Sequence, residues 1–417
     1  MGKSIHFSGQ PVYGQLIDLL SKDAVARIGR QNGGEMYVKK FDTCQHLLTM
    51  LYAVIKRLDS LREISASMEP EAHKLAHLGI SVMPRRSTLS DANARRPARV
   101  FEDIYRDLYK RHADEISADS RGRQNPGWLT RLHIIDSTTI SLFSNLIFKG
   151  VGRHPKTGRK KGGIKAHTIM DAASGMPTDV RFTSAATHDS FMLAPAQYRH
   201  GDIVTMDRAY IKYQKFEELT QRGVTYVTKM KKGLKYEVLA DTAHMNADGV
   251  MEHRDQRVVF RTTAEDGQTV THHARIITYV DAGGRKPKAV SLLTNDMGMC
   301  WEDIADIYGR RWQIESLFKQ LKQNFPLRYF YGESANAIKV QIWVTLIANL
   351  LLTVIQKRVK GRTWSFSGLA TIIRITLMYY IDCYSFLGAP EKDWEMLVKG
   401  REPPSQPSLF DWAGLSS

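Results

Sequence analysis

Cysteine is scarce in this chain. Cys44, Cys300 and Cys383 are the only three in 417 residues, and they stand far apart, without the close spacing of a metal-binding knuckle. A disulfide framework is thereby excluded, and a reducing compartment fits better than a secreted one. The opening stretch, MGKSIHFSGQPVYGQ, lacks the apolar core of a signal peptide. Uninterrupted apolar runs of membrane length are missing as well. The stretch that comes nearest, residues 338–355, holds Lys339, Gln341 and Asn349, which are costly in lipid, so it predicts a buried core helix. Acidic residues are in deficit: 43 Asp and Glu against 59 Lys and Arg leave a formal charge of +16. An excess of this size points to a polyanionic partner, since Lys and Arg that neutralise phosphates release condensed counterions. A solvated basic surface is the blander alternative.

What is present describes an ordinary globular protein, with 43% hydrophobic and 24% charged residues. At 417 residues it exceeds one ordinary core, so two or three domains are expected. Residues 1–125 read as helical. The segment 43–58 has apolar residues at helical spacing behind Thr43 as a cap, and further helices are expected at 71–78 and, capped by Ser87, at 87–96. The last two read either as a helix-turn-helix DNA reader or as part of a plain bundle. Residues 113–128, polar with Gly and Pro, read as a linker.

From residue 130 the pattern changes to strands: 132–142, 163–171 and 176–185, then a helix over 189–197. A short strand at 202–206 runs straight into Asp207, followed by a helix at 212–222 and a strand at 224–230. Three strands followed by helix, strand, helix and strand match the order of a ribonuclease-H-like fold. Asp136 would then sit midway along the central first strand and Asp207 at the end of the fourth, as neighbours. Residues 231–298 alternate as further strands separated by Asp, Gly and Asn turns and read as a β-rich insertion. A helix is expected over 301–324, stopped by Pro326. Helices follow over 326–400, and a polar, Pro-rich tail at 401–417 reads as flexible. The fold class is thus α/β: a ribonuclease-H-like core with a β-rich insertion over 130–325, between a helical N-terminal domain and C-terminal helices.

Tyr308, Arg311, Glu315 and Lys322 lie on one face of the 301–324 helix, with Trp312 and Lys319 at its border. Ile307, Ile314, Leu317, Phe318 and Leu321 take the other side, to pack on the sheet. Taken alone, this is either a working face or a charged solvent face. Asp disfavours strands, so Asp136 inside LHIIDSTTIS points to use beyond folding. Phosphodiester chemistry calls for two divalent ions held by carboxylates, and Asp136, Asp207 and Glu315 would supply them.

These residues carry a resemblance. Tyr308-x2-Arg311-x3-Glu315-x6-Lys322, preceded by Asp136 in IIDSTTISL and Asp207 in TMDRAYI, resembles the signature of bacterial insertion-sequence transposases of the DDE type, the IS-four-like group. The resemblance covers about 132–322, including the 108-residue interval between Asp207 and Glu315. It implies that Asp136, Asp207 and Glu315 are catalytic and hold two Mg²⁺ ions, with Mn²⁺ able to substitute. Tyr308, Arg311 and Lys322 would contact phosphates of the element end. Trp312 would stack near a displaced base or pack at the rim, and Lys319 joins the same DNA-facing group. It further implies cut-and-paste transposition, with terminal inverted repeats and target DNA as partners, a homodimer pairing two ends, and work at the nucleoid in the cytoplasm. A nuclease that cuts without joining and an inactive DNA-binding regulator remain the alternatives.

Two basic segments complete the footprint. Residues 149–165 hold seven Lys/Arg and five Gly, among them Arg153, Lys156, Arg159, Lys160 and Lys161. Residues 229–235 hold four lysines, including Lys229, Lys231 and Lys232. Both read as DNA contacts or solvated loops. His188 is a candidate for a supporting role near the site and Asp189 for a helix cap. His272 and His273 fall on opposite faces of a strand, which argues against a joint metal site.

Overall fold

The computed structural model describes residues 9–117, 125–141, 163–184, 192–263, 267–282 and 286–391. The chain begins with helices α1 (Val12–Ile17), α2 (Lys22–Gln31), α3 (Thr43–Lys56), α4 (Leu61–Met68), α5 (Ala72–His77), α6 (Arg86–Arg95) and α7 (Ala98–Ile116). Helices α2 and α4 start behind side-chain caps: the Ala24 N–H donates to Ser21 and the Glu63 N–H to Ser60. At α3 the cap is Asp42, which accepts from the Gln45 N–H at 2.8 Å, and not Thr43, which is the first helical residue. The Asp42 backbone is extended, as an N-cap requires, and from there its carboxylate reaches the third N–H of the helix. Ser87 likewise lies inside α6, which has no side-chain cap.

Strands β1 (Leu132–Ser141), β2 (Gly163–Asp171), β3 (Met176–Ser184) and β4 (Ile203–Met206) follow. Then come helix α8 (Tyr213–Gln221), β5 (Thr225–Lys229), and the run β6 (Glu237–Met245), β7 (Met251–Thr263), β8 (Thr269–Asp281) and β9 (Lys288–Thr294). All nine strands form one sheet in the order β3-β2-β1-β4-β5-β9-β8-β7-β6. The first five reproduce the ribonuclease-H-like arrangement: β1, β4 and β5 run parallel, and β1, β2 and β3 form an antiparallel meander. The insertion extends this sheet, because β9 comes back antiparallel beside β5. Its outermost strand, β6, was not anticipated from sequence. It is exposed along its whole length and carries no buried alternation to read.

On one sheet face, Ile135, Met206, Tyr226 and Leu293 close over Phe216 and Leu219 of α8. Here His272 is buried between Tyr226 OH (2.7 Å) and Glu217 (2.8 Å), while His273 is exposed, as the strand alternation predicts. Between β3 and β4 the described residues show a 3₁₀ turn at Pro195–Gln197. The earlier part of the expected 189–197 helix lies outside the described residues.

Helices α9 (Trp301–Arg310) and α10 (Trp312–Asn324) replace the single helix expected over 301–324. The break falls at Arg311, whose N–H bonds back three residues to Tyr308 O (3.1 Å). Ile314 N–H likewise bonds to Arg311 O (3.4 Å), so one tightened turn interrupts the α pattern. Helices α11 (Ala335–Arg358), α12 (Phe366–Thr376) and α13 (Cys383–Gly388) follow.

The chain divides into two compact units. One holds Ala113–Gln323 and Leu327–Lys339. The other joins the described residues up to His112 with Asn324–Pro326 and those from Val340 onward. The helices after residue 340 thus group with the N-terminal helices, where the sequence suggested a separate C-terminal region. Both α3 and α11 are apolar around most of their girth and need cover on several sides. Within this unit Arg374 donates to Ile55 O and to Asn324 O, and Val12 N–H donates to Tyr379 O. In α11, 94% of the most apolar 18-residue window is buried. Its polar members are satisfied: Gln341 donates to Pro326 O, and Thr353 to Asn349 O.

Candidate active site

Parallel pairing sets Ile135 of β1 opposite Met206 of β4, and Met206 opposite Thr228 of β5. Ile135 and Met206 face the α8 side, so by strand alternation the following residues, Asp136 and Asp207, turn to the other face. One step beyond the paired positions, Asp136, Asp207 and Lys229 therefore form a row across three neighbouring strands. Asp207 also caps the 3₁₀ turn Arg208–Tyr210, accepting from the Ala209 N–H at 3.0 Å.

Helices α9 and α10 lie over this face. The return from the insertion is pinned before α9 begins: Arg275 pairs with Asp255 and donates to Met299 O at 2.6 Å. Trp128 Nε1 donates to Asp303 in the first turn of α9 at 2.9 Å. Ile304, Ile307, Ile314, Leu317, Phe318 and Leu321 are all buried, which fixes the polar edge of both helices toward the carboxylates.

Arg311 ties the helix to the strand. Its Nη1 lies 2.7 Å from Glu315 Oε1 and 3.8 Å from Asp136 Oδ2. Its guanidinium stands 5.7 Å from the Tyr308 ring centroid and 6.0 Å from that of Trp312, within cation–π range. The buried Arg311 Nε has no hydrogen-bond partner among the described residues, so the fork keeps a spare donor. One turn from the end of α10, Lys322 Nζ donates to Thr138 Oγ1 (2.7 Å) and Thr139 O (3.4 Å). Asp136 and Thr138, two apart on β1, are thus matched to Arg311 and Lys322.

Burial pushes the Asp136 carboxyl up to about 6, helped by the negative charges of Glu315 and Asp207. The Ser137 N–H and Arg311 pull the other way. Among the described residues no three carboxylate, imidazole or thiol groups approach closely enough to form a ready-made metal site. Even so, the donor set suits a hard divalent ion: oxygen ligands from two strands and a helix, each felt by Asp136 as unwanted negative charge. The only cation between Asp136 and Glu315 among the described residues is Arg311.

Of the other candidate residues, Trp312 is 63% exposed at the site's edge. Lys319 is exposed on α10, and Lys231 and Lys232 are exposed after β5. Arg153, Lys156, Arg159, Lys160, Lys161, His188 and Asp189 lie outside the described residues. Sequence alone missed Thr138 as the acceptor for Lys322, although it lies within the Asp136 motif. It also missed Lys229 as a member of the strand row, which only the register discloses.

A ribonuclease-H-like sheet with two aspartates on adjacent parallel strands, and a glutamate on the covering helix, defines an enzyme of the DDE class that acts on nucleic-acid phosphodiesters. Comparison with known families agrees. The family described as "Transposase DDE domain" matches residues 127–351, more than half of the chain, and the chain belongs to that family. Residues 8–81 match a "Domain of unknown function (DUF4372)". A protein of Sinorhizobium fredii named as a transposase, y4zB, is 28% identical over 271 residues, covering 65% of this chain and 71% of its own. One named for the insertion sequence element IS4SA of Synechocystis is 26% identical, covering 64% and 70%. One named for IS5377 of Geobacillus stearothermophilus is 25% identical, covering 56% and 58%, so the match spans less than two thirds of that relative. The protein is a DDE transposase of the IS-four-like kind, an enzyme of DNA transposition, and enzymes of this family depend on divalent metal ions.

Proposed function

We propose that Asp136, Asp207 and Glu315 hold two divalent ions, Mg²⁺ with Mn²⁺ as a substitute, at the ends of a mobile element. The observation that carries this is the β1–β4 register, which places Asp136 beside Asp207 under the helix that bears Glu315. When bound, such ions activate a water or 3′-hydroxyl and stabilise the departing oxygen. The chain's own residues position the DNA. Arg311 offers its fork, including the unused Nε, to a phosphate, and Lys322 supplies a point charge about three turns further along. Tyr308 and the open face of Trp312 border the same opening, where Trp312 can stack on an unpaired base. Lys229 and the lysines after it extend the cationic wall on the strand side.

In this reading one strand is hydrolysed at each terminal inverted repeat. The freed 3′-hydroxyl then attacks the opposite strand, closing a hairpin and releasing the flank; water reopens the hairpin to restore a 3′-hydroxyl, and that hydroxyl attacks a target, in a cut-and-paste reaction. Two ends are joined in one event, so the working form is a homodimer on chromosomal DNA in the cytoplasm. Residues 1–125 serve as the DNA-binding part, 130–325 as the catalytic part and 326–400 as a helical support.

The test is a strand-transfer assay with linear DNA bearing the element's own ends and Mg²⁺ or Mn²⁺. Joined products that vanish in Asp136→Ala and Glu315→Ala support the proposal. Cleavage without joining would assign a nuclease, and binding with neither would assign a regulator. Full activity in Asp207→Ala would remove Asp207 from the metal set.

A further inference from the structure

Between α2 and α3 the chain makes an excursion, residues 32–42, that is held too firmly for an idle surface loop. Arg96 is 4% exposed and clamps both of its ends: Nε donates to Gly34 O and Nη2 to Phe41 O, each at 2.9 Å. Glu35 closes the base by accepting the Thr43 N–H at 2.9 Å. Gly33 turns the chain at φ +71, and Gly34 has no room for a side chain, since an added Cβ would meet Thr43 Oγ1 at 2.9 Å. On this rigid base stand Met36, 66% exposed, and Tyr37, 88% exposed. Tyr37 is also held at φ +60, a left-handed conformation that a bulky residue rarely adopts without a reason.

The surroundings of this tip are cationic. Lys39 and Lys40 follow it, both exposed, and Arg95 stands exposed on α6. Together with Asn32 they border an open groove of about 830 Å³ between the loop and α6. The acid on that groove wall, Asp91, is already ion-paired with Arg95 across one helical turn. Such a pair on the surface is weak and exchanges readily for a phosphate. A small-molecule pocket would turn its aromatic inward, whereas Tyr37 points almost wholly into solvent. Exposed aromatic and thioether side chains flanked by lysines match a nucleic acid, in which base and sugar edges lie between rows of phosphates.

We propose that the Arg96-clamped loop is a second DNA contact, remote in sequence from the catalytic residues. Lys39, Lys40 and Arg95 hold phosphates of the duplex, and the Met36–Tyr37 tip packs against base and sugar edges between them. This rests on the transposase reading and supplies it with an anchor in the part of the chain matched only by a family of unknown function.

The experiment titrates the full chain with linear duplex DNA taken from the sequence bordering the gene, without divalent metal, over a range of salt. Lys39→Ala/Lys40→Ala is expected to weaken binding about tenfold and to lower the slope of log affinity against log salt by about 1.8, two phosphates' worth. Tyr37→Ala is expected to weaken binding about tenfold with the slope unchanged, because stacking releases no counterions. In Tyr37→Trp, added duplex should change the fluorescence of the new indole. Every substituted side chain is exposed, and unchanged helix content by circular dichroism checks the fold. Wild-type affinity and slope in both alanine variants overturn the proposal. So does unchanged DNA binding with an altered oligomeric state, which would make the surface a protein contact. If the wild type cuts and joins this DNA once Mg²⁺ is added while the variants bind normally, only this inference falls. A wild type that neither binds nor cuts it brings down the catalytic reading too.

Discussion

On the proposed reading, Arg311 links recognition to chemistry in one side chain. It lies 2.7 Å from Glu315 and 3.8 Å from Asp136, so without a metal ion its charge separates two carboxylates that would otherwise repel. Removing it should cost twice, once in the carboxylate arrangement and once in the phosphate contact. Arg311→Ala is expected to slow single-turnover cleavage of paired ends by at least ~10²-fold, the scale of losing a preorganised charged donor. Arg311→Lys should recover little, because one ammonium cannot serve carboxylate and phosphate together; near-wild-type cleavage in the lysine variant would disprove the dual role. His46 makes a different prediction. It is wholly buried against the Phe41 and Phe101 rings with Nε2 on Asn93, and burial, aided by Arg96, drives its pKa down to about 3. The folded protein keeps this imidazole neutral while the unfolded chain protonates it near 6.5. Its contribution is therefore complete above about 6.5 and is lost as pH falls toward 3, at a limiting slope of about 1.4 kcal/mol per pH unit. Urea unfolding at pH 7 and pH 5.5 should show the loss, and His46→Phe should flatten it.

At the scale of elements, the site depends on how α10 lies along β1. Asp136 of the strand meets Arg311 at the junction of the two helices, and Thr138 meets Lys322 of α10. Thr138→Val keeps the strand and removes the acceptor for Lys322. End cleavage is expected to fall roughly tenfold with DNA binding little changed, since a lost charge-assisted hydrogen bond is worth ~1.5 kcal/mol. Unchanged cleavage would show that Thr138 does not position Lys322. In the helical unit, α11 is the core element, with Trp343 2% exposed and packed on Tyr105. Trp343→Ala is expected to destabilise by ~3–5 kcal/mol, measured by chemical denaturation. The apolar run 338–355 was legible as a buried helix because its polar residues recur within it. The break at Arg311 was not legible, since nothing in the local pattern favours stopping there. It is set by hydrogen bonds three residues apart and by carboxylates from elsewhere in the chain.

For the whole molecule, the charge of +16 is a statement about DNA. Binding should weaken steeply with salt, by ~10³-fold or more between ~50 and ~200 mM if six or more phosphates are neutralised. A flat salt dependence would contradict a backbone-dominated interface. The insertion also acts at this scale. It prolongs the ribonuclease-H-like sheet through β9, so the entry of α9, and with it the position of Glu315, is set by hydrogen bonds far from the three carboxylates, notably those of Arg275 and Asn295.

The sequence by itself determined the order of the first five strands and the family, and it marked the three carboxylates and the cationic residues near them as candidates. Each is carried by residues close together in the chain: strand alternation, helical spacing, and an aspartate where strands disfavour one. Tertiary structure alone decided which residues meet. Lys229 joins the row of Asp136 and Asp207 only through the β4–β5 register. Thr138 becomes a partner of Lys322 only across 184 residues, and the ends of the chain share one helical unit. The exposed strand β6 and the clamp of Arg96 on a loop more than fifty residues earlier leave no periodic trace. Local pattern records what a residue prefers, whereas contacts between distant segments depend on how the apolar faces of whole elements are finally covered.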